Sequence, residues 1–297
     1  MFKTLACAAL VVAATAGCGG GTSASHDGKL DVIASFYPLA WITGQIGGAD
    51  VAVSTLTKPG AEPHDLELSP KQVAQISDSK FVVYLKELQP AVDDAVAAEA
   101  ADKSLDAAAQ VRTIPFTGQS EGGGKATYDP HLWLDPARLA TVATAVGTRL
   151  ARIDPAHAAG YQAGTARLVG RLNTLDEEFK QGLASCAQKT IVTSHEAFGY
   201  LSERYGLQQV GIAGIDPDSD PSPKRVAELT DLVKKDGVTT IFTETLVSPK
   251  TAQTLATEAG VRTAVLDPIE GITTPGQDYL SVMRTDLRTL RAALNCS

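Results

Sequence analysis

The chain has 297 residues, 44% of them hydrophobic, and a net charge of −8 from 26 Lys+Arg against 34 Asp+Glu. That length accommodates two ordinary domains with a substantial core. The acidic balance leaves no basic footprint for nucleic-acid binding; it favours attraction of cations and serves solubility equally well.

Met1-Phe2-Lys3 and the apolar run Thr4–Ala16 are too short to span a bilayer as a mature helix, and residues 1–17 read as an export signal. The signal closes on Thr15-Ala16-Gly17-Cys18, and residues 18–29 are polar and glycine-rich, a composition that tethers and does not fold. This start resembles a bacterial lipoprotein signal, with Cys18 as the lipidated first residue of the mature chain, although Thr15 stands where an aliphatic residue is usual. Of the four cysteines, Cys7 leaves with the signal and Cys18 is acylated, so Cys186 and Cys296 remain as one pair. In an oxidising compartment the expectation is a disulfide joining the C-terminal tail to the second half; two free buried thiols are the alternative.

Leu30–Phe36 and Asp50–Leu56 read as buried strands, with Pro38–Ile46 a short helix between them. Helical spacing over Pro70–Ser77 and Gln89–Ala101 flanks a strand at Phe81–Leu85, and Val111–Ile114 reads as a fourth strand before the loop Thr117–Thr127. This alternation predicts parallel strands with helical crossovers, an α/β lobe over residues 30–135. From Pro136 the pattern changes. Ala137–Arg152 is amphipathic, and Ala156–Ala184 runs helical for about 29 residues, roughly 43 Å at the usual rise. Leu168, Leu172, Leu175, Phe179 and Leu183 form one apolar stripe along it. Residues 136–185 are therefore expected to include a strut between lobes; a bundle helix inside one lobe is the alternative.

The second lobe, residues 186–297, repeats the plan. Strands are expected at Thr190–Thr193, Gln208–Ala213, Val238–Thr243 and Val261–Leu266. Helices are expected at Glu196–Tyr205, Pro223–Lys235, Pro249–Ala259 and Gln277–Leu294, with Ser222-Pro223 and Ser248-Pro249 marking two starts.

On this frame His64, His131, His195 and Asp267 each lie on the carboxyl side of a predicted strand, the edge where ligands bind in open parallel sheets. Two belong to each half, so they meet if the two edges face each other. Three imidazoles and a carboxylate make a full tetrahedral set for Zn²⁺, while harder ions such as manganese favour more oxygen. A closed set has no vacant position for substrate or activated water, which argues for holding an ion and against catalysis. No His-Glu-x-x-His pair is present, so a zinc protease of that type is unsupported. Asp65 and Asp135 are candidates to orient the histidines, helix capping being an equal account of Asp135. Trp133 and Phe198 read as core or cleft wall, Glu62, His26 and His157 as solvated. Because an imidazole must be neutral to bind, affinity is expected to fall below about pH 6.5.

Four segments carry a resemblance: Pro59-Gly-Ala-Glu-Pro-His64-Asp-Leu-Glu, Asp129-Pro-His131-Leu-Trp-Leu-Asp-Pro, Thr193-Ser-His195-Glu-Ala-Phe-Gly-Tyr-Leu and Leu266-Asp267-Pro. Together they resemble the signature segments of metal-specific solute-binding proteins of ABC importers, the zinc and manganese uptake group, over about Leu30 to Cys296. The resemblance implies two α/β lobes joined by one long rigid helix, with the ion on the residues matching His64, His131, His195 and Asp267. Histidine at the third position, here His195, is the zinc-type residue. It further implies an extracytoplasmic, lipid-anchored monomer that delivers Zn²⁺ to ABC permease subunits, with a metal-delivering chaperone as a further partner and little hinge closure. A manganese or iron receptor, a secreted zinc hydrolase, and an added adhesin role are the competing readings. The loop Thr117–Thr127 has no histidine, unlike the long histidine-rich loop of many zinc-type members, and Tyr84-Leu-Lys-Glu-Leu lacks their usual Asn-Gly.

Overall fold

The computed structural model describes residues 28–116, 126–217 and 221–297. The expected signal peptide, Cys18, His26 and most of the loop Thr117–Thr127 lie outside them. Two four-stranded parallel sheets organise the described residues. The first is built from β1 (Leu30–Ala34), β2 (Val51–Thr55), β3 (Phe81–Tyr84) and β4 (Ser104–Asp106), in the order β2-β1-β3-β4. The second comprises β5 (Thr190–Thr193), β6 (Gln208–Gly211), β7 (Thr240–Thr243) and β8 (Arg262–Val265), in the order β6-β5-β7-β8. The same strand order is thus used twice, and every pairing is parallel, as βα alternation requires.

One expected strand is corrected. The fourth strand of the first sheet is Ser104–Asp106, in register with Val82–Tyr84, and Val111–Ile114 is irregular. Its backbone finds other partners: the Ile114 N–H donates to the Tyr200 hydroxyl at 3.0 Å, and the Ile114 carbonyl accepts from Asp129 N–H at 2.9 Å. A bridge between Pro115 and Tyr128 then returns the chain toward His131.

Around the first sheet run α1 (Tyr37–Gly47), α2 (Pro70–Asp78) and α3 (Pro90–Glu99). Then come α4 (Pro136–Ile153) and the long α5 (Ala158–Leu183, 26 residues), with α6 (Gly199–Tyr205), α7 (Pro223–Lys235), α8 (Lys250–Ala259) and α9 (Tyr279–Ala293) around the second sheet. Local chemistry sets the helix starts. Asp135 caps α4 through Ala137 and Arg138 N–H, Ser69 and Asp278 form capping boxes on α2 and α9, and Ser222 caps α7. At α8 the helix begins one residue later than Ser248-Pro249 suggests, with Pro249 at the cap.

The expected stripe on α5 is buried in full, from Leu168 to Leu183. It belongs to one continuous apolar core that takes in α1, α4, α5, α6 and α9 and the inner faces of both sheets. Smaller clusters lie under α2 and α3 on the outer face of the first sheet, and under α7 and α8 on that of the second. A disulfide joins Cys186 to Cys296, 110 residues apart, closing the end of α9 onto the segment after α5. No helix among the described residues is long and apolar enough to cross a membrane.

Candidate metal centre

The loops leaving the strands meet between the two sheets. His64 stands in the loop between β2 and α2, and His131 in the segment leading to α4, directly before a 3-10 turn over Leu132–Leu134. His195 is two residues beyond β5. The fourth group there is Glu270, from the loop after β8: one donor atom from each of these four residues lies within 4.8 Å of all the others. His131 and His195 are fully buried and Glu270 is 1% exposed.

The separations are informative. The Nε2 atoms of His131 and His195 are 3.3 Å apart, and Glu270 Oε1 lies 3.4 Å from His64 Nε2 and 3.5 Å from each of the other two. Donors at about 2.0–2.1 Å from a central ion in a tetrahedron stand about 3.3–3.4 Å from one another. Four of the six donor separations thus match the edge of such a tetrahedron, and the other two lie within 4.8 Å. Within the protein, both carboxylate oxygens of Glu270 and the Nε2 of His64 are buried without a hydrogen-bond partner, the condition expected of groups whose partner is an ion.

Asp267, expected as the fourth donor, is outside this group. Its Oδ1 accepts from Ile269 N–H at 2.8 Å and its Oδ2 from the Thr245 hydroxyl, in the loop after β7, at 3.1 Å, so both oxygens are engaged away from the imidazoles. Asp65 and Asp135 do not supply the orienting acceptors either. Asp129 Oδ1 lies 2.8 Å from His131 Nδ1, and both Glu244 oxygens lie 2.8 Å from His195 Nδ1. Each carboxylate also accepts the backbone N–H of its histidine. Asp135 instead caps α4 and pairs with Arg138 and Arg204. Glu62, read as solvated, is half-buried: its Oε1 accepts from His64 N–H at 3.0 Å, while its Oε2 is enclosed without a partner.

The fold explains these placements. His195 follows β5 and Glu244 follows β7, adjacent strands on either side of the point where the strand order reverses, so both project into the same crevice. Asp129 can approach because residue 199 is glycine: a Cβ there would sit 2.3 Å from Asp129 Oδ2. Trp133 walls the site, its ring 5.2 Å from that of His131, and Phe198 is fully buried in the core, both as expected; His157 is exposed beside Asp154. A strand-end criterion applied to every acid would have found Glu244, which directly follows Thr243. Glu270 carries no such signal, being five residues past β8.

Electrostatics fit the same arrangement. Burial pushes the His64 pKa down. For His195, burial acts downward but the Glu244 and Glu270 carboxylates together outweigh it and raise the imidazole well above its ordinary value. His131 is likewise raised, Asp129 and Glu270 overcoming burial. Glu270 is held well below the usual carboxylate range, because the three imidazoles more than offset its burial. Burial and the neighbouring Glu270 charge push Glu62 up to about 9.

A paired α/β scaffold with a buried, closed set of three imidazoles and one carboxylate between its sheets defines a class of metal-holding proteins. Comparison narrows the class. Residues 32–293 match the family model described as ZnuA, zinc-uptake complex component A, periplasmic. The zinc-binding protein AdcA of Streptococcus pyogenes serotype M3 is 38% identical over 296 residues, covering 89% of this chain and 56% of that protein. The high-affinity zinc uptake system protein ZnuA of Bacillus subtilis is 31% identical over 317 residues, covering 99% of this chain and 97% of its own. Among solved structures, the Zn(II)-bound ZnuA-like domain of Streptococcus pneumoniae AdcA superposes with a TM-score of 0.78 at 34% identity, covering 90% of this chain and 100% of that one. The laminin-binding protein Lmb of Streptococcus agalactiae, described as bifunctional with adhesin and metal-transporting activity, gives a TM-score of 0.81 at 32% identity, covering 89% and 99%. The chain spans about half the length of the AdcA proteins it matches. It belongs to the ZnuA family.

Proposed function

We propose that the chain is an extracytoplasmic receptor that captures Zn²⁺ on His64, His131, His195 and Glu270 and delivers it to the permease of an ABC importer. The observation that carries this reading is the match between the 3.3–3.5 Å donor separations and the edge of a zinc tetrahedron. Three nitrogens and one oxygen suit zinc better than manganese or magnesium. Four protein donors leave no open coordination position, so the ion is cargo and the chain is a receptor with no catalytic role. In this reading residues 30–135 and 186–297 are the two lobes, residues 136–185 hold them apart, Cys18 carries a lipid anchor, and a single copy meets the permease.

The test is metal analysis of protein purified without chelator, together with titration of the apo protein against a zinc-binding dye. About one zinc per chain is expected, with manganese unable to displace it at equal concentration. His195→Ala and Glu270→Ala should each lose the retained zinc. Full zinc retention by both variants, or preference for manganese, would sink the assignment.

A further inference from the structure

Asp267 and Glu270 are three residues apart in the same loop, yet only Glu270 reaches the imidazoles. The turn between them is unusual. Ile269 has φ of 57° and is fully buried. A β-branched residue in the left-handed region is a steric outlier that persists only where its surroundings over-determine it. Those surroundings are visible. The Ile269 N–H donates to Asp267 Oδ1 at 2.8 Å, closing the turn, and the Thr245 hydroxyl fixes the other carboxylate oxygen at 3.1 Å. The Asp267 N–H donates to Asp286 Oδ1 at 3.1 Å, and the Pro268 carbonyl accepts from Trp133 Nε1 at 2.7 Å. Trp133 is in turn held by Tyr279, whose hydroxyl donates to the Trp133 carbonyl at 2.6 Å. Every one of these contacts acts before Glu270, whose own carboxylate has no protein donor.

We propose that Asp267 is a positioning residue for the metal site: its carboxylate holds Ile269 in the left-handed turn that aims Glu270 at the three imidazoles. This rests on the four-donor reading above. The same loop thus carries two acids with divided work, one accepting hydrogen bonds from the backbone turn and from Thr245, the other left bare for the ion. An amide can replace the first, because its carbonyl oxygen still accepts from Ile269 N–H and the Thr245 hydroxyl can turn to accept from its NH₂. It is a poorer substitute for the second, because a neutral carbonyl oxygen binds Zn²⁺ less strongly than a carboxylate.

The experiment measures zinc affinity of the full chain by chelator competition for Asp267→Asn, Asp267→Ala, Glu270→Ala and the double variant Asp267→Ala/Glu270→Ala, with thermal unfolding of each apo protein to confirm folding. Asp267→Asn should stay within about threefold of the parent, and Asp267→Ala should weaken binding by about 10–100-fold, as loss of a ligand-supporting group does. The double variant should bind no more weakly than Glu270→Ala alone, since a residue that acts only through Glu270 has nothing left to position. Asp267→Asn as weak as Asp267→Ala, or penalties that add, would overturn the proposal. If Glu270→Ala itself leaves affinity unchanged, the four-donor reading fails; if Glu270→Ala weakens binding and Asp267→Ala does not, only the positioning role fails.

Discussion

His195 shows what a single side chain needs beyond its identity. An imidazole can place its proton on either nitrogen, and the Glu244 carboxylate at 2.8 Å from Nδ1 keeps the proton there, leaving Nε2 free to face His131 and Glu270. Asp129 does the same for His131. Glu244→Ala is therefore expected to weaken zinc binding by about 10–100-fold, and Glu244→Gln by less, since the amide oxygen still accepts from Nδ1–H. Chelator competition on the two variants checks the order; equal losses would mean that charge alone matters. The three histidines stood out because each lies on the carboxyl side of a predicted strand, the edge where ligands bind in open parallel sheets. The carboxylates were not. Asp267 directly follows a predicted strand and so is the acid the sequence points to, yet Glu270, beyond the left-handed turn at Ile269, is the acid beside the imidazoles.

Helix α5 shows how an element constrains the molecule. It approaches α1 so closely that a Cβ on Gly164 would lie 2.3 Å from the Ile46 carbonyl oxygen, whereas one on Gly170 would meet nothing within 4 Å. Replacing glycine by alanine inside a helix gains about 1 kcal/mol of propensity, while overpacking against backbone costs about 1–3 kcal/mol. Gly170→Ala should then stabilise the protein by up to about 1 kcal/mol and Gly164→Ala should destabilise it, opposite shifts in urea midpoint from one substitution on one helix. The same helix carries Asp176, bonded to Arg204 and Tyr205 of α6 and paired with Lys180. Burial would raise its carboxyl, but hydrogen bonds from Arg204, Lys180 and Tyr205 prevail and hold it down at about 2. A depressed folded pKa gives stability that is present in full above the unfolded value near 3.9 and is lost as pH falls toward 2. Asp176→Asn should cost about 2 kcal/mol at pH 7, with the gap to the parent closing between about pH 4 and pH 2 in urea titrations of the apo proteins. The long apolar stripe of α5 was readable from its three- and four-residue spacing. The three-residue β4 was not: Ser104-Leu105-Asp106 has no strand-like run of its own and exists because β3 offers it an edge.

At the scale of the whole molecule, the continuous core through α1, α4, α5, α6 and α9 ties both sheets to one apolar body, packing that opposes a wide hinge movement between them. The disulfide spans 110 residues of that body. On the loop-entropy account, replacing both Cys186 and Cys296 by serine should cost about 5 kcal/mol, read as a lower denaturant midpoint that the parent reproduces only after reduction. Binding to the folded state alone should in turn stabilise by about 4 kcal/mol at a thousandfold excess of free zinc over its dissociation constant. The βα alternation, the long amphipathic helix and the strand-end positions of the histidines were written in local pattern, because hydrophobic period and capping residues act over a few positions, and the cysteine pair followed from counting. Tertiary structure alone decided that Glu270 and not Asp267 lies beside the three imidazoles, that Asp129 and Glu244 meet the Nδ1 atoms of His131 and His195, and that Val111–Ile114 is no strand. Glu244 stands 49 residues from His195, Ile114 bonds to Tyr200 86 residues on, Glu270 follows one strained turn, and Asp129, though two residues from His131, approaches only because Gly199 makes room; none of these leaves a periodic trace in the chain.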